Sequence, residues 1–144
     1  MKRHLLRLLA AALLASPAAR ADDPAAAVAV IDAHLKAYNA RDLEALLAFF
    51  APDCELYEFP DKLLAKGAAA VRARYAARLA EPNLHAEVAH RVAVGDKVID
   101  EEHVTRTFPG EGPGQIVVAV ISEVRGGRIT RAWFINGTKT LDPK

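Results

Sequence analysis

Apolar residues recur at helical spacing at Val28, Ile31, Leu35 and Tyr38, and again at Leu43, Leu46, Leu47 and Phe50. Each stripe has its own start signal. Asp23-Pro24 places a capping carboxylate before a proline whose missing N–H does no harm at the first helical position, and Asp42 caps the second run. The first helix is expected to reach about Asn39, and the second to stop at Pro52, which biases Ala51 away from helix. Residues 54–59 alternate as a strand and are cut off by Pro60. Val71, Tyr75 and Leu79 then mark one side of an alanine-rich third helix over residues 68–80, with Pro82 beyond it.

From Leu84 onward the period shortens to two, and residues 84–94, 97–108, 115–125 and 128–136 predict four strands. Gly95-Asp96 and Gly126-Gly127 fit two-residue hairpin turns that need positive φ, and the loop at residues 109–114 joins the middle pair. Helices grouped beside consecutive hairpin strands predict the α+β class. The expected architecture is three N-terminal helices packed in the concave face of a curved, mostly antiparallel sheet, a cone-shaped α+β barrel whose hollow is the natural ligand site.

The first residues change the picture of where the chain works. Lys2, Arg3 and Arg7 form a basic head, residues 8–15 an apolar block, and Ala19-Arg20-Ala21 a small-x-small end, which together predict an export signal over residues 1–21. The apolar block is far shorter than the ~20 residues that span a bilayer, so no membrane anchor is expected. Residues 22–144 would form one domain in the periplasm or outside the cell. Without Lys2, Arg3, Arg7 and Arg20, the balance of 19 basic and 18 acidic residues falls to a net charge of −3. A mildly acidic surface attracts neither nucleic acid nor an anionic membrane by its overall field. Cys54 is the lone cysteine, so packing rather than an internal disulfide must stabilise the domain.

Candidate chemistry is densest at residues 97–108. Val98, Val104 and Phe108 share a strand face with Asp100, Glu102 and Arg106. Charges on an apolar face are costly unless paired, so this face predicts a polar pocket, an ion-pair network, or a bulge that turns the charges outward. A solvated acidic run on an edge strand is the plainer alternative. In the first strand both faces have an apolar case. With Cys54 and Leu56 inward, Glu58 stands at the pocket mouth as a desolvated general base; with Tyr57 and Phe59 inward, it is a surface acid. His34 and Tyr38 lie one helical turn apart and could both donate into the cavity, although a core tyrosine and a half-exposed histidine fit equally well. Trp133 would form an aromatic wall or part of the core. The candidate catalytic set is therefore Glu58, His34, Tyr38, Asp100 and Glu102, and the candidate apolar lining is Leu35, Leu56, Val104, Val117 and Trp133.

Other chemistries find little support. Ser122 and Cys54 have no local activating base, and Gly110, Gly112 and Gly114 precede a strand where a phosphate loop would need a helix. His85 and His90 are an odd number of residues apart, which puts them on opposite faces of a regular strand and defeats shared metal binding.

The segments AYNARDLEALLAFFAPDCELYEFP, ARYAARL and VISEVRGGRITRAWFI resemble the nuclear transport factor 2-like superfamily, especially its bacterial SnoaL-like and ketosteroid-isomerase-like branches. The resemblance covers nearly all of residues 22–144. It implies a curved sheet over three helices, commonly a homodimer, on a scaffold that hosts isomerases, dehydratases, cyclases, epoxide hydrolases and plain binders. In ketosteroid isomerases of this superfamily a first-strand aspartate abstracts a proton beside a carbonyl, and a tyrosine with a protonated aspartic acid holds the enolate oxygen. Carried onto this chain from Phe50-Ala51, the base position falls on Glu58, or on Phe59 if anchored at Pro60; the tyrosine position falls on His34 and the acid position near Val117. Together with the export signal, the resemblance implies a cofactor-free exported protein that binds a small apolar or polycyclic molecule and carries out acid-base isomerisation, dehydration or hydrolysis. A non-catalytic periplasmic binding module is the alternative.

Overall fold

Asp23 and Asp42 open the two N-terminal helices as their sequence positions predict. The Asp23 carboxylate accepts from the Ala25 N–H at 3.0 Å at the head of α1 (Pro24–Asn39), and Asp42 accepts from the Ala45 N–H at 3.0 Å at the head of α2 (Leu43–Leu47). The computed structural model describes residues 23–143, so the export signal read at residues 1–21 lies outside them. The remaining elements are β1 (Phe50–Glu58), β2 (Lys62–Lys66), α3 (Gly67–Leu79), β3 (His85–Val94), β4 (Lys97–Phe108), β5 (Gly112–Arg125) and β6 (Arg128–Leu141).

Two boundaries differ from the expected ones. The second helix ends well before Pro52, which lies within β1. It is tolerated there because β1 pairs with β6 at Phe50 and resumes only at Glu55, leaving the proline free of the ladder. The short strand β2 was not expected at all; it folds back on β1 as an antiparallel edge.

The six strands form one sheet in the order β2-β1-β6-β5-β4-β3, antiparallel throughout except for the parallel β1–β6 pair. The chain is thus of the α+β class, with a curved sheet left unclosed. The barrel expectation is corrected here, since β2 and β3 are free edges. The acidic face of β4 does not lie on an edge strand; β5 and β3 flank it.

Helix α3 packs across β1, and α1 packs against β3, β4 and β5. Between them lie the most deeply buried side chains, including Leu46, Leu56, Val71, Val98 and Ile129. Asn39, the last residue of α1, ties this layer to the sheet. Its Nδ2 donates to the Ala86 carbonyl at 2.8 Å and its Oδ1 accepts from the Ala86 N–H at 2.9 Å, so one side chain pairs with the free edge of β3. Arg41, at φ 58°, donates to the carbonyls of Glu81 and Pro82, joining the α1–α2 corner to the α3–β3 connection.

Among the described residues, no helix is long and apolar enough to cross a membrane.

Candidate functional site

Strand register determines what faces the helices. On β4, Val98, Asp100, Glu102, Val104, Arg106 and Phe108 all point to the inner side. On β3 a bulge beside Ala89 shifts the alternation, so that Val88 opposes Glu102 and Arg91 opposes Asp100. The bulge also corrects the reading of His85 and His90. They lie opposite Thr105 and Glu101, both on the outer side, and share a face. Among the described residues, no group of three or more His, Cys, Asp or Glu is arranged to hold a metal ion.

Between sheet and helices is a cavity of about 450 Å³, within the range of small-molecule sites. His34, Tyr38, Glu58, Asp100 and Glu102 all line it, with Leu35 and Val104 among its apolar walls. Three of the expected lining residues are elsewhere. Leu56 points inward but is fully buried under α3, filling the helix–sheet interface. Val117 is 41% exposed on the outer side of β5, opposite a bulge in β6 where a Cβ on Gly137 would come within 2.8 Å of the Val117 carbonyl oxygen. Trp133 also faces outward, its ring stacked on Tyr57 with centroids 6.0 Å apart.

One end of the cavity is aromatic. His34 lies edge-on to Phe50 at 5.2 Å and to Tyr75 at 6.1 Å, and Tyr38 lies edge-on to Tyr75 at 6.4 Å. The His34 Nε2 is buried without a hydrogen-bond partner, and burial lowers the imidazole pKa to about 4, which keeps the ring neutral near pH 7. Burial raises the Tyr38 hydroxyl to about 12, with the nearby Glu102 and Glu81 adding to the shift and Arg78 and Arg106 opposing it, so the phenol stays a hydrogen-bond donor. Tyr75 is raised for the same principal reason.

The two carboxyls of β4 have different environments. Both oxygens of Asp100 are taken by Arg91, Nε to Oδ1 at 2.6 Å and Nη2 to Oδ2 at 2.7 Å, and the same guanidinium reaches Asp32 on α1. The Glu102 carboxyl makes no hydrogen bond or ion pair with any described residue. Burial, reinforced by the Asp100 charge and opposed by Arg91, lifts its pKa to about 7.

Glu58 is at the mouth, as one reading of β1 predicts, but it is not desolvated. Its side chain is 42% exposed and lies 3.4 Å from the Lys62 ammonium. Opposite it are three cations: Arg106, expected on this face of β4, and Arg74 and Arg78 of α3, which were not among the expected site residues. Arg78 and Arg106 share Glu81, at 3.0 Å and 2.8 Å to the same oxygen, while Arg74 rests over the Phe134 ring at 5.6 Å. The signal was available: Arg74 and Arg78 follow Val71 at helical spacing on the face that carries Tyr75.

A family model described as the SnoaL-like domain matches residues 31–132. Among solved structures, an uncharacterized cystatin-fold protein from Novosphingobium aromaticivorans is 26% identical, with a TM-score of 0.69 over 76% of this chain and 97% of its own. A putative ketosteroid isomerase from Kribbella flavida is 21% identical, with a TM-score of 0.65 over 85% of this chain and 86% of its own. An LEH-like epoxide hydrolase from M. tuberculosis is 18% identical, with a TM-score of 0.69 over 79% of this chain and 84% of its own. No functionally curated protein matches the sequence. With the family model spanning most of the chain and these folds superimposing on it, the protein belongs to the SnoaL-like domain family of the nuclear transport factor 2-like superfamily.

Proposed function

We propose that this is an exported, cofactor-independent acid-base enzyme that isomerises, dehydrates or hydrolyses a small, largely apolar molecule held in a cone-shaped hollow, with Glu102 as the proton-transferring carboxyl. The observation that carries the proposal is an unpartnered carboxyl, with a pKa of about 7, on the wall of the cavity between apolar Val104 and Val118. A base is most effective when its pKa lies near the working pH, and Glu102 meets that condition where the half-exposed Glu58 does not share its burial. In the isomerase case the Glu102 carboxylate takes a proton from the carbon beside a carbonyl. The electron pair moves onto the carbonyl oxygen, where Tyr38 donates a hydrogen bond to the developing oxyanion, and the proton returns to the conjugated carbon. His34, neutral and unpartnered, offers a second polar contact at the same aromatic end. The names of the relatives, a putative isomerase and an epoxide hydrolase, fit this class of chemistry.

The test is solvent exchange. A panel of cyclic and polycyclic ketones is incubated with the protein in heavy water and examined by mass spectrometry. Deuterium incorporation beside the carbonyl is expected for the natural chain, with a loss of roughly a hundredfold or more in Glu102→Gln. Incorporation unaffected by Glu102→Gln would overturn the assignment.

The capture of both Asp100 oxygens by Arg91 favours a second reading, since it leaves the inner end of the site with one free acid. On that reading the protein is a periplasmic carrier, and native mass spectrometry would find a bound molecule that is never altered.

A further inference from the structure

Arg74 has no acid. No carboxylate among the described residues pairs with it, although every other arginine lining the cavity has one: Arg78 and Arg106 are both held by Glu81. Its guanidinium rests over the face of Phe134, and its side chain is partly buried. Glu58, at the cavity mouth, lies in register with Phe134 but is paired with Lys62 of the neighbouring strand β2. Three guanidinium groups face Glu81, which is committed to two of them, and a half-exposed Glu58 already paired with Lys62, so this end of the cavity keeps a surplus of positive charge. Burial, with the two neighbouring arginines, lowers the Arg74 pKa, while Tyr75 and the more distant charge of Glu58 oppose that shift only in part.

Cross-strand register gives the position of Arg74 relative to the reacting end. Phe134 is opposite Val120, and Val120 is opposite Asp100; Asn136 is opposite Val118, and Val118 is opposite Glu102. The Phe134–Arg74 end therefore lies two strands from the carboxyls of β4, roughly 10 Å along the sheet. Apolar side chains from β5 fill the interval: Ile116, Val118 and Val120.

We infer that the molecule acted on is an apolar acid, whose carboxylate docks on the Arg74 guanidinium at the cavity mouth while its hydrocarbon body crosses β5 and presents the reacting carbon to Glu102. The inference rests on the proton-transfer reading of the same site, but concerns binding alone. A planar guanidinium matches a carboxylate through two parallel N–H donors, and Phe134 holds that plane from behind. Docking the anion would neutralise the surplus positive charge without disturbing the Glu81 pairs.

The experiment measures binding of naphthylacetate and naphthylbutanoate against their uncharged amides by isothermal titration calorimetry. The natural chain is expected to favour at least one acid over its amide by roughly ten- to a hundredfold. In Arg74→Gln that preference should disappear while amide affinity stays within about twofold, which also reports that the cavity remains folded. Arg74→Lys should restore part of the preference, since charge returns without the two-donor geometry. Glu102→Gln should keep it, which separates failure of this inference from failure of the proton-transfer reading. No preference for any acid in the natural chain, or a preference that survives Arg74→Gln, would overturn the inference.

Discussion

Arg91 holds both oxygens of Asp100 from the neighbouring strand, and it can do so only because a bulge beside Ala89 turns it to the inner side of the sheet. The pair is deeply placed, with the Asp100 side chain 3% exposed. Removing one partner strands the other charge in a poorly solvated site, which costs about 3–5 kcal/mol, whereas removing both together costs much less. Arg91→Leu is therefore expected to be severely destabilised in urea titrations, and Arg91→Leu combined with Asp100→Leu to recover much of the loss. Additive losses in the double variant would contradict a coupled pair.

Two cavity groups give opposite pH dependences to stability. Glu102 titrates at about 7 in the folded chain against an ordinary 4.5, so the folded state holds the extra proton; the stability it contributes is complete below 4.5 and is lost as pH rises to about 7. His34 titrates at about 4 against an ordinary 6.5, so its contribution is complete above 6.5 and is lost as pH falls to about 4. Each displacement corresponds to about 3 kcal/mol, and over their shared window the two slopes nearly cancel. Glu102→Gln should uncover a loss of stability toward acid relative to the natural chain, and His34→Gln a loss toward neutral pH. Urea midpoints across that window check both signs.

The outer side of the sheet carries a row that no helix among the described residues covers. Tyr57 and Trp133 stack, Trp133 is opposite Ile121, and Ile121 is opposite Ile99, with Ile135 and Val117 exposed close by. We propose that a second copy of the chain covers this row as a homodimer. Sedimentation velocity should then show a dimer for the natural chain and a monomer for Ile121→Lys with Trp133→Arg, while ligand binding in the cavity on the opposite face is retained. A natural chain that sediments as a monomer at every concentration would exclude the dimer.

What the sequence made legible follows from regularity. The inner face of β4 could be read directly because twelve residues alternate without a bulge, so Asp100, Glu102 and Arg106 fall on the face of Val98 and Val104. The face of β3 could not, because nothing in its composition marks Ala89 as the extra residue, and the partnership of Arg91 with Asp100 depends on it. Trp133 was ambiguous for the same reason: β6 carries an extra residue near Thr130 that shifts its alternation, and Val117 was placed by resemblance alone. The parallel contact of β1 with β6, which brings Glu58 into line with Phe134, joins segments too distant in sequence for a local pattern to reveal. Arg74 was hidden in an alanine-rich helix, where a cation ordinarily reads as a solvated face.

Glu102 is a largely desolvated, unpaired acid poised near neutrality, and the protonation of that one carboxyl is the most direct test of its role. In chain labelled with carbon-13 at the glutamate carboxyls, the resonance missing from Glu102→Gln is expected to titrate with a midpoint of about 7. A midpoint at the ordinary 4.5 or below would contradict it, because the carboxyl would then be solvated or paired and could not serve as the base described.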